Sequence, residues 1–192
     1  MKERLAAAFL RLSGWAPEGA VPTAKHYVLI AAPHTSNWDL VYLLALSWVL
    51  GVRVSWMGKH TLFRGPAGTV MRGLGGVPVR RDRRNDLVAQ MVQAFADSPT
   101  LALVVPAEGT RSAASHWKSG FYRIARAAEV PVVLGYLDYG RRRGGFGPEI
   151  RPSGDVKRDM DRIRAFYADK TPRHPEGFGP VQLVDEEKQS RS

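Results

Sequence analysis

One short segment of the sequence is dense in side chains that could perform acid–base chemistry. Residues 32–40, APHTSNWDL, hold a histidine, two hydroxyls, an amide and a carboxylate, and they follow the apolar segment HYVLIA. An aspartate beside a histidine fixes the ring tautomer and stabilises the imidazolium, so that the second ring nitrogen can take a proton from a hydroxyl. His34 and Asp39, five positions apart, are therefore the first candidates for a catalytic pair.

The same segment also has a purely structural interpretation. Ser36, Asn37 and Asp39 are all good N-cap residues, and Asp39 could serve there and do nothing more. A His-x4-Asp spacing arises by chance in roughly one chain in four of this composition. The pair alone does not establish catalysis, and a second feature is needed.

The second feature is EGTRS, residues 108–112, which follows the apolar run LALVVPA. A glycine beside a threonine and an arginine lets backbone N–H groups, a hydroxyl and a guanidinium converge on an oxyanion or phosphate. The alternative is a simple turn, in which Gly109 supplies an unusual backbone angle and Glu108 pairs with Arg111. A fixed pentapeptide has odds on the order of 10⁻⁴ in a chain of this length, so this signal is the more specific one.

Short apolar runs and amphipathic segments indicate the elements that position these residues. Runs rich in valine or leucine predict strands at Tyr27–Ala31, Val52–Met57, Val77–Val79, Leu101–Val105 and Val132–Tyr136. Helical spacing predicts helices at Leu40–Leu50, Ala67–Leu74, Asn85–Ala96, Gly120–Ala128 and Asp155–Tyr167. Apolar strands separated by helices predict one α/β domain with a mostly parallel central sheet and helices on both faces.

This architecture places both polar segments at functional positions. Ligands of open α/β sheets sit beyond the carboxyl ends of the strands, and APHTSNWDL and EGTRS both follow such ends. Pro33 cannot donate to a ladder and helps to end its strand, which leaves His34 in the loop and Asp39 at the start of the next helix.

The remaining segments are predicted from composition and spacing. Residues 1–15 predict an amphipathic helix with Leu5, Phe9 and Leu12 at helical intervals, which could lie on a membrane or dock on the domain's own core. The main domain spans residues 25–168, and RRRGGFGPEIRPSG within it predicts a turn between two late, shorter strands. Residues 169–192 form a C-terminal tail, whose last segment VDEEKQSRS is predicted to be frayed.

Charge and composition limit the partners. A net charge of +10 and a pI near 10.3 favour an anionic partner, which could be nucleic acid, a phosphorylated substrate or an acidic membrane. The arginine clusters Arg80–Arg84 and Arg141–Arg143 lack interleaved aromatics, so nucleic acid is not expected as a partner. The chain has no cysteine, which excludes disulfides, thiolate catalysis and cysteine-ligated zinc. The longest apolar stretch, Leu40–Val52, is shorter than the roughly 20 residues that span a bilayer.

Four segments taken in order, HTSNWD, GGVPVRR, EGTRS and VPVVLG, resemble the motifs of the glycerolipid acyltransferase family. Its best-known members are the 1-acyl-glycerol-3-phosphate acyltransferases. The resemblance runs from about Lys25 to Tyr139, and GKHTLF and WKSGFYRIA also resemble the family's connecting segments. The sequence departs from the family pattern at three positions. Pro78 stands where the second motif usually has an aromatic residue, and Leu134 replaces a second proline in the fourth motif. In the third motif, Ala107 separates the proline and glutamate that are usually neighbours.

The resemblance implies a glycerol-3-phosphate acyltransferase-like fold and a reaction. A fatty acyl group would pass from acyl-CoA or acyl carrier protein to a hydroxyl of a lysophospholipid such as 1-acyl-glycerol-3-phosphate. His34 would be the general base, with Asp39 orienting it, and direct transfer would need no cofactor and no metal. The acceptor or phosphate site implied by the motifs consists of Arg81, Glu108, Gly109, Thr110 and Arg111, with Lys59, Arg80 and Lys118 as possible additions.

Other functions stay open at this point. Family members that acylate another lipid or a glycolipid share the same core, and Pro78 leaves the acceptor undecided. A same-fold acyl hydrolase and a catalytically silent lipid-binding protein are alternatives from different classes. The expected partners are acyl-CoA or acyl carrier protein, a lysolipid acceptor and an anionic membrane surface. The expected location is the cytoplasm, with peripheral binding to the inner face of the cell membrane.

Overall fold

A computed structural model describes residues 1–79, 84–109 and 113–189. Its strands, in chain order, are β1 Ala16–Gly19, β2 His26–Ala32, β3 Val54–Lys59, β4 Gly76–Val79, β5 Leu101–Val105, β6 Val132–Asp138 and β7 Arg143–Ile150. The helices are α1 Lys2–Leu12, α2 Trp38–Val49, α3 Gly65–Gly73, α4 Arg84–Asp97, α5 Gly120–Ala127, α6 Val156–Tyr167 and α7 Val184–Gln189. Short 3₁₀ turns cover His60–Phe63 and Pro175–Gly177.

The strands described form one sheet in the order β1-β7-β6-β2-β5-β3-β4. From β6 to β4 all neighbours are parallel, whereas β7 runs antiparallel to β6 and pairs in parallel with β1. Strand β2 lies between β5 and β6, with Ile30 in register with Val105 on one side and Leu134 on the other. The carboxyl ends of these three strands therefore meet at one edge, and the loops that follow them meet there too.

The sheet is covered on both faces, which is why its central strands are apolar throughout. Leu29 and Ile30 point to opposite faces of β2, and both are fully buried. One face packs on α4, α5 and α6 through residues such as Phe95, Phe121 and Met160, and the other packs on α2. The predicted α/β fold, with a mostly parallel sheet between two layers of helices, is confirmed.

The prediction of a turn at RRRGGFGPEIRPSG was wrong, because Arg143–Ile150 is a strand between β6 and β1. Its glycines hid the pattern, since they leave no side chains to alternate. They are required by close backbone approach: a Cβ on Gly145 would stand 1.9 Å from the Glu18 carbonyl oxygen, and one on Gly19 would stand 1.9 Å from that of Phe146.

The prediction of a frayed end was also wrong for the residues described, because Val184–Gln189 form α7. Leu183, just before the helix, is buried, and its backbone N–H donates to Glu186 Oε1 at 2.6 Å. The second carboxylate oxygen of Glu186 accepts from Arg164 of α6 at 2.6 Å. These contacts hold the last helix on the domain.

Helix α1 docks on α2, which agrees with one of the two alternatives for residues 1–15. Ala6 and Leu10 are buried against α2, and Lys2 lies over the ring of Trp48 with its Nζ 5.8 Å from the centroid. Of the predicted stripe only Phe9 packs on α2, with its ring centroid 5.4 Å from that of Tyr42, whereas Leu5 and Leu12 are 66% and 89% exposed. The docked helix therefore keeps an apolar surface outside.

Candidate active site

The loop after β2 brings the predicted catalytic pair together. Strand β2 ends at Ala32 and α2 begins at Trp38, so the intervening residues turn sharply and return Asp39 to the histidine. Nδ1 of His34 lies 3.3 Å from Oδ2 of Asp39. The histidine side chain is 24% exposed and the aspartate side chain 6%, so the carboxylate lies beneath the ring. Because Asp39 engages Nδ1, Nε2 is the ring nitrogen available to a substrate proton.

Asp39 is held by more than the histidine. Its Oδ2 accepts the backbone N–H groups of Thr35 and Ser36, each at 2.8 Å, and its Oδ1 accepts the hydroxyl of Tyr139 at 2.6 Å. Burial raises the pKa of Asp39, but hydrogen bonds from His34, Tyr139 and Ser36 outweigh it and hold this pKa below its ordinary value. Asp39 is therefore a buried, ionised carboxylate that closes the loop and orients the ring, instead of only capping a helix.

Glu108 supports the same loop from the neighbouring strand. It follows β5, it is 1% exposed, and its Oε1 accepts the backbone N–H of His34 at 2.7 Å. Its Oε2 is buried and has no hydrogen-bond partner among the residues described. Burial raises the pKa of Glu108 to about 7, although the His34 N–H opposes this rise. The residue expected in the acceptor site thus lies behind the histidine and fixes its main chain.

The other predicted site residues fall into three groups. Gly109 has a φ of +70°, and a Cβ there would stand 2.8 Å from Cγ of Lys118, so the turn after β5 needs a glycine and lies beside that lysine. Lys59 is exposed and ends β3, two strands away from β2 on the same edge. Four predicted residues lie outside the described part of the chain: Arg80, Arg81, Thr110 and Arg111.

A cavity of about 430 Å³ opens beside the pair. His34 and Asp39 stand among its lining residues, and most of the remaining wall is apolar. Its space arises where α2 crosses the sheet above two small residues, Ala31 of β2 and Gly135 of β6, which are partners in register. Leu43 of α2 and Trp56 of β3 complete the walls at this level. The volume lies in the usual range for small-molecule sites.

Tyr139 is a site residue that the sequence motifs did not indicate, although it ends the segment VPVVLGYLDY. It comes directly after β6, the other neighbour of β2, and so reaches Asp39 from the side opposite Glu108. Its position after a strand was the only sequence signal, and many loop residues share it.

The described residues contain neither a cluster of metal-ligating side chains nor a membrane-spanning helix. No three His, Asp or Glu side chains in ranges 1–79, 84–109 and 113–189 cluster so that they could hold a metal ion. Within the same ranges no helix combines the length and the apolar character needed to cross a bilayer.

Comparison with known proteins identifies the family. The family model described as Acyltransferase matches residues 16–134, which contain the His34–Asp39 pair and Glu108. The chain belongs to the acyltransferase family. The resemblance noted in the four motifs is thereby confirmed. None of the curated proteins matches this acyltransferase significantly.

A solved structure matches the fold of this acyltransferase over most of its length. It is the crystal structure of the 1-acyl-sn-glycerophosphate (LPA) acyltransferase PlsC from Thermotoga maritima, with a TM-score of 0.59 and 18% sequence identity. The match covers 88% of this chain and 77% of that chain. At this identity the likeness shows a shared fold.

Proposed function

We propose that this acyltransferase moves a fatty acyl group from acyl-CoA or acyl carrier protein to a hydroxyl of a lysophospholipid such as 1-acyl-glycerol-3-phosphate. The observation that carries the proposal is the His34–Asp39 pair in the wall of a mostly apolar cavity. A base alone would suit many reactions, but a base beside an apolar cavity suits a reaction on an acyl chain.

The transfer is direct. The acceptor hydroxyl gives its proton to Nε2 of His34 as its oxygen attacks the thioester carbonyl. The carbon–sulfur bond then breaks, and the departing thiolate takes the proton from the imidazolium. Asp39 stabilises the transient positive charge on the ring and keeps Nδ1 protonated, as the aspartate of a catalytic triad does. An oxygen ester and a free thiol result, and the residues return to their starting state.

The cavity holds the acyl chain. Its apolar wall stabilises a buried chain by about 0.8 kcal/mol for each methylene removed from water. Because His34 and Asp39 are among the residues that line the cavity, a chain inside it can bring its carbonyl carbon near the base. Ala31 and Gly135 give the chain room between the sheet and α2.

The acceptor's phosphate is bound by cations at the carboxyl edge of the sheet. The motif arginines Arg81 and Arg111 are assigned to it from the sequence, since a guanidinium can bind phosphate through two parallel hydrogen bonds. Lys118 adds support from the structure, because its side chain lies against Gly109 of the third motif. The net charge of +10 agrees with an anionic acceptor.

The protein works at an anionic membrane surface, on the cytoplasmic side of the cell membrane. Exposed apolar side chains lie on the first turn of α2 beside the catalytic loop, at Trp38, Leu40 and Val41, and on the outer face of α1, at Leu5 and Leu12. Helices with an exposed apolar stripe and flanking basic residues bind the headgroup region. Such a surface would bring a lysolipid to His34 without extracting it fully from the bilayer.

One experiment tests the function and its alternatives together. Purified protein is incubated with acyl-CoAs of mixed chain length and a panel of phosphorylated, neutral and glycolipid acceptors, and the products are identified by mass. The proposal predicts acylated phosphorylated lysolipid. Acylation of only the neutral or glycolipid acceptors would contradict the phosphate assignment, and free fatty acid without acylated lipid would indicate a hydrolase.

A further inference from the structure

Residues beyond the family match complete the catalytic pair. The family model ends at residue 134, yet Oδ1 of Asp39 accepts its hydrogen bond from Tyr139. The remaining donors to Asp39 in the described residues are His34 itself and two backbone N–H groups. Almost any sequence could supply the two backbone donors. Apart from His34, Tyr139 is therefore the residue whose side chain matters for holding Asp39.

Tyr139 is itself fixed from several directions. Its backbone N–H donates to the Thr171 carbonyl oxygen at 2.8 Å. Its ring packs edge-on against Trp15, with the ring centroids 4.9 Å apart and the planes at 84°. The guanidinium of Arg173 lies 5.6 Å from the Tyr139 centroid and 5.8 Å from that of Trp38, which borders the catalytic loop. The hydroxyl therefore has little freedom to leave the carboxylate.

The segment that holds Tyr139 also holds the loop of His34. Two residues after Thr171, Arg173 contacts Trp38, and the backbone N–H of His174 donates to Oγ1 of Thr35 at 3.2 Å. Residues 171–174 thus join the end of β6 to the loop after β2. Burial, followed by the hydrogen bond to Asp39, raises the pKa of Tyr139 above its ordinary value, so the hydroxyl keeps the proton that it donates.

We propose that Tyr139 is a positioning residue for acyl transfer: its hydroxyl fixes Oδ1 of Asp39 so that Oδ2 stays directed at Nδ1 of His34. Without the Tyr139 hydroxyl, Oδ1 loses its side-chain donor and the carboxylate is held through Oδ2 alone, by the Thr35 and Ser36 N–H groups. A carboxylate held at one oxygen can rotate about it, which disturbs its alignment with Nδ1 of His34, 3.3 Å away. This inference rests on the proposed role of His34 as the base. It adds that the alignment of the pair depends on a residue that the four motifs do not contain.

The test removes one oxygen atom. Tyr139→Phe keeps the ring and its packing but deletes the donor to Asp39. We expect kcat to fall roughly tenfold, which corresponds to about 1.4 kcal/mol, while the KM values for donor and acceptor stay within about twofold. A residue that only filled space would not separate kcat from KM in this way.

Tyr42→Phe is the matched control. Tyr42 lies in the same aromatic cluster, with its ring centroid 6.0 Å from that of Tyr139, and the structure gives it no bond to Asp39. The same oxygen is lost, and the kinetic constants should stay near those of the wild type. If Tyr42→Phe lowers kcat as much as Tyr139→Phe, or if Tyr139→Phe turns over like the wild type, the proposal is overturned.

A second readout needs no substrate. The ¹⁵N shifts of the imidazole ring report which nitrogen of His34 carries the proton, and Asp39 favours the tautomer protonated at Nδ1. The population of this tautomer should fall in Tyr139→Phe and not in Tyr42→Phe. If the wild type transfers no acyl group, the proposed function fails, but the spectra still decide on Tyr139: an unchanged tautomer ratio in Tyr139→Phe overturns its positioning role.

Discussion

Glutamine in place of Glu108 should flatten the pH dependence of stability between about pH 4.5 and pH 7, the ordinary and the raised pKa of this carboxyl. Glu108 is buried behind His34, where one oxygen accepts the His34 N–H and the other has no partner among the described residues. The neutral side chain is therefore favoured in the folded protein, since the effect of burial outweighs that of the one hydrogen bond from the His34 N–H.

The magnitude follows from linkage. Between pH 4.5 and about pH 7 the folded protein keeps a proton on Glu108 that the unfolded chain has released. The free energy of unfolding therefore falls as pH rises through this window, and the loss is complete above about pH 7. A rise in the pKa of Glu108 from 4.5 to about 7 corresponds to a loss of roughly 3 kcal/mol at most in the free energy of unfolding. Glutamine cannot ionise, and it can still accept the His34 N–H, so its contribution should not change with pH.

Urea unfolding at a series of pH values measures this effect. The difference in the free energy of unfolding, Glu108→Gln minus wild type, should grow by up to about 3 kcal/mol from pH 4.5 to pH 8. Glu3→Gln, an exposed glutamate on α1, is the matched control and should give a flat difference. A flat difference for Glu108→Gln would refute the reasoning. It would instead favour the pairing of Glu108 with Arg111 that the sequence left open.

Two further predictions concern the cavity and the surface. Ala31→Leu adds side-chain volume between the sheet and α2, so the preferred acyl donor should become shorter, while turnover of the shortest donors changes little. Competition between acyl-CoAs of different chain length measures this preference. An unchanged preference would show that the acyl chain does not lie over Ala31. Leu5→Glu combined with Leu12→Glu should weaken sedimentation with anionic liposomes at least severalfold without lowering the thermal midpoint, because both side chains are exposed. Unchanged sedimentation of this double variant would place the membrane contact elsewhere.

The sequence was sufficient to predict those strands and helices whose side chains form a clear hydrophobic pattern. Strands β2, β5 and β6 are buried on both faces, so they stand out as apolar runs, and the polar segments at their carboxyl ends marked the edge where the site lies. This is why the fold and the proximity of His34 and Asp39 could be predicted. Strand β7 could not, because its glycines serve close backbone contacts and leave no pattern.

Contacts between side chains far apart in the sequence were the main feature of the site that could not be predicted. Tyr139 and Asp39 are 100 positions apart in the sequence, and no local spacing of residues predicts such a contact. The motifs place Glu108 in the acceptor site, and they give no sign that its carboxylate also accepts the His34 N–H from the neighbouring strand. On α1, the spacing predicted an apolar stripe but did not show that Ala6 and Leu10, together with Phe9 of that stripe, are the side chains that α2 covers.

The most direct test of the central claim is the turnover of His34→Ala, measured with acyl-CoA and a lysophospholipid on protein whose fold is verified by circular dichroism. General base catalysis contributes about 10²–10⁴-fold, so the account predicts a loss of kcat in that range or beyond. Asp39→Asn, which disturbs the partner of Nδ1, should be nearly as damaging. Turnover at the wild-type rate in well-folded His34→Ala would contradict the proposed mechanism.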